Sequence, residues 1–449
     1  MSNDVDVVVI GLGPGGEALA TELAGTGLDV VGVDRRLVGG ECPYYGCVPS
    51  KMIVRAADLL AEASRVQGMA GDVDLTASWQ PVAERISNEA TDDWDDQVAV
   101  DRLVDAGVGF VRGHARLTGP RTVEVAGQTY VARIGVVLNT GTEPAAPPVD
   151  GLDGTPYWTN REAIAATELP ASLVVVGGGA VGVELAQAFA RFGVQVTVVE
   201  VADRILAPEE PESSQLLTRV LTREGIRVLT GVTVKEVAYD DGQFTVDLDG
   251  RTVTADRLLV AAGRRPNLAD LGLETVGLDP RARAVGVDER MRAGDGLWAI
   301  GDITGKGAFT HVSMYQASVA ARDIRGLGGP TADYRAVPRV TFSDPEIAAV
   351  GMTERQARAA GLRVRVGSTD LGASARGWIH RGEGLVKLVE DADRGVLVGA
   401  TAVGPSGGEV LSALAVAVHA EVPTATLGSM IYAYPTFHRA IESALADLS

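Results

Sequence analysis

Val5-Asp6-Val7-Val8-Val9-Ile10-Gly11-Leu12-Gly13-Pro14-Gly15-Gly16 stands near the start of the chain, and Ser172-Leu173-Val174-Val175-Val176-Gly177-Gly178-Gly179-Ala180-Val181-Gly182 repeats its pattern 166 residues later. A short apolar run closed by a glycine cluster predicts a buried strand ending in a tight turn. A helical pattern follows, to about Leu23 in one copy and to Phe192 in the other, and then a second apolar run ending at Asp34 or Glu200. In both copies the first glycine precedes the acid by 23 residues. Such a unit reads as a dinucleotide site. Gly11 and Gly177 permit the turn, Gly13 and Gly179 let backbone approach a pyrophosphate, and Gly16 and Gly182 bring helix against strand. The helix N-terminus offers free N–H groups to the phosphates, and the acid receives the ribose hydroxyls. One glycine turn is weak evidence, but two with equal acid spacing are much stronger.

Two dinucleotide sites in one chain suggest that electrons pass from one to the other. Glu200 is followed by Val201-Ala202-Asp203, with Arg204 the only base nearby. Acid without a cluster of bases repels a 2′-phosphate, so the second site suits NADH better than NADPH. The first site, beside the cysteines, then holds the flavin.

The 449 residues carry 40 Lys+Arg against 59 Asp+Glu, a net charge of −19. At about 100–200 residues per domain the length argues for two to four domains. Excess acid disfavours a nucleic-acid partner and an anionic membrane surface. Met1-Ser2-Asn3-Asp4 has acid where a signal peptide carries bases, and Val5–Ile10 and Leu411–Val418 are too short to span a bilayer, so a cytoplasmic protein is expected. Only Cys42 and Cys47 are present, which suggests redox chemistry in a reducing compartment rather than disulfide stapling. His114, His311, His380 and His419 show no metal-ligand spacing, and no metal site is expected.

The cysteines lie in Glu41-Cys42-Pro43-Tyr44-Tyr45-Gly46-Cys47-Val48-Pro49-Ser50-Lys51. At the opening of a helix this spacing brings two sulfurs together near the positive helix end, which favours thiolate. Two inert buried thiols are the plain alternative. With this segment the chain resembles, over essentially its whole length, the FAD-dependent pyridine nucleotide–disulfide oxidoreductases, the family of dihydrolipoamide dehydrogenase, glutathione reductase and mercuric reductase. Cys42 through Lys51 is similar to the family's Cys-x4-Cys-x-Pro-Ser-Lys signature, and Leu297 to Asp302 to its second flavin motif. Asn139-Thr140-Gly141 and Ala262-Gly263-Arg264-Arg265-Pro266-Asn267 resemble its two interdomain crossovers, and Val337 to Glu346 the opening of its dimerisation domain.

The resemblance implies an α/β fold with two Rossmann-like domains, for FAD and NAD(P), and a C-terminal α+β dimerisation domain. The expected division is 1–148 and 266–334 for FAD, 149–265 for NAD(P) and 335–449 for the dimer interface. It implies cofactor contacts from Gly11, Gly13, Gly16, Asp34, Arg35, Gly40, Lys51, Thr140, Gly141, Asp302 and His311 on the FAD side. Gly177, Gly179, Gly182, Glu200 and Gly263 are their counterparts on the nicotinamide side. Hydride passes from NADH to FAD and on to the Cys42–Cys47 disulfide, Cys47 lying against the flavin and Cys42 being the exposed sulfur that exchanges with a disulfide-type acceptor. Lys51 pairs with Glu184 near the flavin, where a cation stabilises developing negative charge; simple surface charge is the alternative for both.

Two departures from the family pattern stand out. Relatives carry His-Pro-Thr-x-x-Glu near the C-terminus, whereas this chain reads Tyr434-Pro435-Thr436-Phe437-His438-Arg439. Tyr434 and Arg439 replace the acid/base dyad, and a phenol of pKa near 10 is no ready base at neutral pH. Tyr434 as proton donor, Arg439 as anion anchor and His438 as a substitute base are the candidates, with interface packing the alternative for Tyr434. Mercuric reductases also place tyrosine here but use a C-terminal cysteine pair, and no cysteine follows Cys47. Metal-ion reduction is therefore the lesser alternative. Ala180 stands where relatives often carry a bulky gate to the nicotinamide pocket, which leaves direct reaction with quinone or dioxygen as another. The expected assembly is a homodimer.

Overall fold

The computed structural model describes residues 2–449. The chain divides into two compact units. One comprises the chain up to Ser50 with Ala83–Ala145 and Gly263–Asp333; the other comprises Lys51–Val82, Ala146–Ala262 and Tyr334–Ser449.

The first unit is built on an eight-stranded sheet. Its central strand, Ser2–Ile10, pairs in parallel with Val30–Asp34 on one side and Gln128–Leu138 on the other. Val7, Val8 and Val9 are wholly buried, because a central parallel strand is covered on both faces and so reads as a continuous apolar run. Gly109–Arg112 and Leu297–Ala299 extend the parallel order, while Thr122–Val125 folds antiparallel onto Gln128–Leu138. The helix Pro14–Ala24 leaves the central strand through the glycine turn and packs on the helix Thr310–Ile324. That approach is close: a Cβ on Gly15 would lie 2.1 Å from Ser313 Oγ.

The second unit contains the second copy of the repeat and an antiparallel sheet. Its four parallel strands run in the order Arg227–Thr230, Gln195–Glu200, Ser172–Val176, Arg257–Val260, with a three-stranded antiparallel meander, Glu236–Asp240, Gln243–Asp247 and Thr252–Ala255, sharing a core around Phe244. The C-terminal part is a five-stranded antiparallel sheet ordered Pro338–Thr341, Glu346–Gly351, Val396–Gly404, Leu385–Asp391, Val364–Asp370. The helix Gly407–His419 covers it, burying Leu411 and Leu414 against Val386 and Leu388. The fold is thus α/β, with two Rossmann-like sheets and a C-terminal α+β part.

Within the second unit, buried Lys387 on the antiparallel sheet meets Glu210 at 3.0 Å, Glu212 at 2.9 Å and Glu354 at 2.9 Å. Burial works against its charge, yet the three carboxylates more than offset it and hold the amine's pKa above the usual lysine range. Glu210 is itself 2 % exposed. Removing one partner of a buried ion pair leaves an uncompensated charge and costs about 3–5 kcal/mol. Lys387→Met is expected to lower the unfolding free energy by about that amount, measured by denaturant titration, whereas an unchanged midpoint would show the cluster to be energetically idle.

Candidate active site

The two glycine turns are built alike to the level of single hydrogen bonds. Gly11 N–H donates to Val33 O and Gly177 N–H to Val199 O, each at 2.8 Å. The next residue, Leu12 or Gly178, donates its N–H to the acid at the strand end, Asp34 Oδ2 at 2.7 Å or Glu200 Oε2 at 2.6 Å. The remaining oxygens accept from Arg36 N–H and Ala202 N–H. Burial pushes the Asp34 carboxyl up, opposed by these two backbone bonds and by the charges of Arg112 and Arg35.

The glycines divide into those that packing requires and those that it leaves open. A Cβ on Gly11 would sit 2.3 Å from Asn139 O and one on Gly177 2.4 Å from Ala261 O. Gly16 and Gly182 would place theirs 2.1 Å from the carbonyl oxygens of Gly11 and Gly177. By contrast, Gly179 meets nothing within 4 Å, and Gly13 meets only Asn139 Nδ2 at 3.5 Å. The middle glycine of each turn therefore faces free space at the head of a helix, where phosphate oxygens would be received.

Cys42 and Cys47 are not on one helix. Cys42 lies in the short helix Glu41–Tyr45, which Gly40 precedes, and Cys47 begins the helix Cys47–Ser64 after a break at Gly46. The chain folds back so tightly there that a Cβ on Gly46 would be 3.1 Å from Glu41 O. Cys42 is half-buried and Cys47 is exposed. No disulfide joins the two sulfurs. Their mutual hydrogen bond, followed by burial, pushes the Cys42 thiol far above its ordinary range. Thr310 Oγ1, at the head of the helix Thr310–Ile324, lies 3.4 Å from Cys47 Sγ.

Lys51 follows Cys47 by four residues on the same helix, and its Nζ lies 2.5 Å from Glu184 Oε2. Glu184 is buried, and its other oxygen accepts the N–H of Phe342 at 2.8 Å; the Phe342 ring lies under the ammonium, 4.6 Å away. Ala180 starts the same helix as Glu184 and is exposed.

In the first unit, Thr142–Pro144 pairs antiparallel with Arg264–Pro266, so the segments after Gly141 and Gly263 are hydrogen-bonded to each other. Thr140 Oγ1 donates to Asn267 O, and Thr142 Oγ1 donates to Asp302 Oδ2 at 2.7 Å. His311 is exposed and stacks on Phe309; Arg35 is exposed. In the second unit, Tyr434 is 70 % exposed with the Arg439 guanidinium 5.6 Å from its ring centre. Arg439 also pairs with Glu442, while His438 lies beside Thr436 and Tyr432. The structure brings Tyr434 and Arg439 together and turns His438 to other neighbours. Among the described residues, no group of three or more His, Cys, Asp or Glu is arranged to hold a metal ion.

Residues 5–322 match the family described as pyridine nucleotide-disulphide oxidoreductase, and residues 337–445 match that family's dimerisation domain. The chain belongs to this family. It is 35 % identical to a dihydrolipoyl dehydrogenase of Thermus scotoductus over 99 % of this chain and 97 % of that protein. It is 32 % identical to a mercuric reductase of Acidithiobacillus ferrooxidans over 96 % of this chain and 80 % of that one. A solved structure, the Cu(II) complex of the HOCl-induced flavoprotein disulfide reductase RclA from Escherichia coli, superposes with TM-score 0.88 at 26 % identity, covering 99 % of both chains. As a pyridine nucleotide-disulphide oxidoreductase the protein is an enzyme that uses FAD and NAD(P)H, and the two open glycine cradles fit two dinucleotides.

Thr310 was not singled out from the sequence. It neighbours His311, which the motif pointed to, but 263 residues separate it from Cys47 and no spacing rule joins them. Asn139, whose Nδ2 donates to Gly11 O at 3.1 Å and so braces the first turn, was likewise visible only as part of a crossover motif.

Gly16→Ala is expected to cost about 1–3 kcal/mol or more through overpacking, whereas Gly13→Ala keeps the wild-type melting curve and loses bound flavin severalfold after gel filtration. Equal flavin content in both variants would refute this division. Thr310→Val removes the hydroxyl 3.4 Å from Cys47 Sγ; a lost hydrogen bond is worth about 0.5–1.5 kcal/mol, so alkylation of Cys47 in the reduced protein should slow by roughly two- to tenfold and recover in Thr310→Ser, and an unchanged rate would show the contact to be idle.

Proposed function

We propose that the protein is a homodimeric, NADH-preferring disulfide reductase that cycles Cys42 and Cys47 between dithiol and disulfide. The observation that carries this reading is the cysteine pair itself, two hydrogen-bonded thiols held by a tight turn beside a dinucleotide fold, with Thr310 against one sulfur. FAD, held at the first glycine turn, would accept hydride from the nicotinamide and deliver two electrons to sulfur. NADH preference is supported by Glu200 and by the lack of a base cluster around it; the side chain of Arg204 is engaged with Asp203 and Ala207 O.

The work of the chain's own residues follows from their chemistry. A Cys42 thiolate attacks one sulfur of an acceptor disulfide and expels the other as a thiolate, and Cys47 then attacks the mixed disulfide to release the second. The Cys42–Cys47 bond re-forms, and the acceptor has gained two electrons and two protons as two thiols. Lys51, fixed by buried Glu184, places a cation one helical turn from Cys47 and stabilises negative charge there. The C-terminal segment of a second copy supplies the proton donor, Tyr434 with Arg439 at its ring, since the family's dimerisation domain matches this part of the chain. The division into 1–148 with 266–334, 149–265 and 335–449 belongs to the same proposal, supported by the separate sheets in these segments.

A metal-ion acceptor is the second reading, favoured by mercuric reductases among the relatives and by the Cu(II) complex of RclA. Direct reaction with quinone at Ala180 is a third outcome of the same test. Anaerobic reduction of the holoprotein by one equivalent of NADH is expected to produce the long-wavelength absorbance of a thiolate next to flavin, and Cys42→Ser to abolish turnover with lipoamide and small disulfides. kcat/KM for NADH should exceed that for NADPH by about tenfold, the discrimination worth some 1.4 kcal/mol that one repelled charge supplies. Turnover with quinone that survives Cys42→Ser while no disulfide is reduced, or reduction of cupric or mercuric ion alone, would overturn the disulfide reading.

A further inference from the structure

A second charge bridge lies beyond the one at Lys51. Lys51 Nζ meets Glu184 Oε2 at 2.5 Å, and Asp58 Oδ1 accepts from Arg191 Nη1 at 2.7 Å. Lys51 and Asp58 are both on the helix Cys47–Ser64, while Glu184 and Arg191 are both on the helix Ala180–Arg191. Each pair of positions is seven residues apart, two helical turns, so both bridges lie along the face where the two helices meet. The signs alternate oppositely, cation then anion on the first helix and anion then cation on the second. A slip of two turns would set Lys51 against Arg191, so the pattern admits one register only.

A third segment locks the same face. Phe342 N–H donates to Glu184 Oε1, Asp344 N–H donates to Gln187 Oε1 at 2.8 Å, and Gln187 Nε2 donates to Asp344 O at 2.9 Å. Arg191, whose side chain is 7 % exposed, divides its guanidinium among Asp58, Glu224 and Asp344. Such forked, multiply bonded guanidinium geometry fixes orientation in a way that a point charge does not. Arg65, the residue that follows the first helix, adds a further bond to Asp344.

We propose that Asp58 and Arg191 are a positioning pair for Lys51, setting the axial and rotational register of the cysteine-bearing helix so that the Lys51 ammonium stays against Glu184. Neither residue touches the reacting sulfurs; both act through Lys51. The inference rests on the reading that Lys51 stabilises charge next to Cys47, and it assigns to a remote ion pair the maintenance of that geometry.

The test is a double-mutant cycle on the flavin-loaded protein, reading the rate at which NADH generates the thiolate absorbance in stopped flow. Asp58→Asn is expected to slow that step roughly five- to twentyfold, the range for coupled members of one charge network, with Asp58→Glu returning it to within about twofold. In a Lys51→Met background, adding Asp58→Asn should change the rate by less than about twofold, because its route of action has already been removed. Should Asp58→Asn retain less flavin than wild type, Asp58→Ser serves as the second truncation, scored on its flavin-loaded fraction. Equal slowing in both backgrounds, or none in either, overturns the positioning role. A wild-type protein that passes no electrons from NADH into its cysteines instead refutes the functional reading on which this inference rests.

Discussion

The absence of a side chain at two points, Gly16 against Gly11 O and Gly182 against Gly177 O, is the constraint on which the rest of the molecule depends. With no Cβ at these positions, a helix can start directly above the strand it follows, and its first N–H groups then face the ligand side of the sheet. The acid at the end of the next strand closes the arrangement by accepting the N–H that follows the first glycine. The same three bonds recur 166 residues apart, so the two nucleotide folds are one solution to one steric problem, used twice.

The cysteine segment is placed by the first of these folds. Gly40, ahead of the short cysteine helix, lies so close to the first turn that a Cβ on it would be 3.0 Å from Gly13 Cα. Cys42 and Cys47 thereby follow the phosphate cradle directly. From Cys47 the long helix carries Lys51 to Glu184, and in the second unit this contact belongs to a network that includes Phe342, Gln187, Asp344 and Arg191. The charge that the proposed chemistry uses is continuous with structural charge here: Lys51 is held by an acid that is itself held by the backbone of a third segment.

Electrostatics are arranged differently in the core and at the rim. Lys387, Arg191 and Glu184 are buried and multiply bonded, where an unpaired charge is costly. Tyr434 and Ile431 are exposed and Arg439 is half-buried on the segment that departs from the family's histidine pattern, and Ile431 is 99 % exposed. An apolar side chain so bare, on a chain that matches the family's dimerisation domain, is consistent with a surface that a second copy covers.

The glycine turns, the acids at the strand ends, the cysteine pair and the substitution of Tyr434 and Arg439 were legible in the amino-acid sequence, because each is a local pattern whose spacing is dictated by backbone geometry. The continuous valine runs announced buried parallel strands for the same reason. Only the tertiary structure showed that a turn at Gly46 splits the cysteines between two helices, that Thr310 meets Cys47 across 263 residues, and that Asp58 meets Arg191 two turns beyond Lys51 and Glu184. Local sterics leave their mark at fixed intervals along a chain, whereas contacts between distant segments depend on how packed elements come to rest against one another, and no interval in the sequence records that.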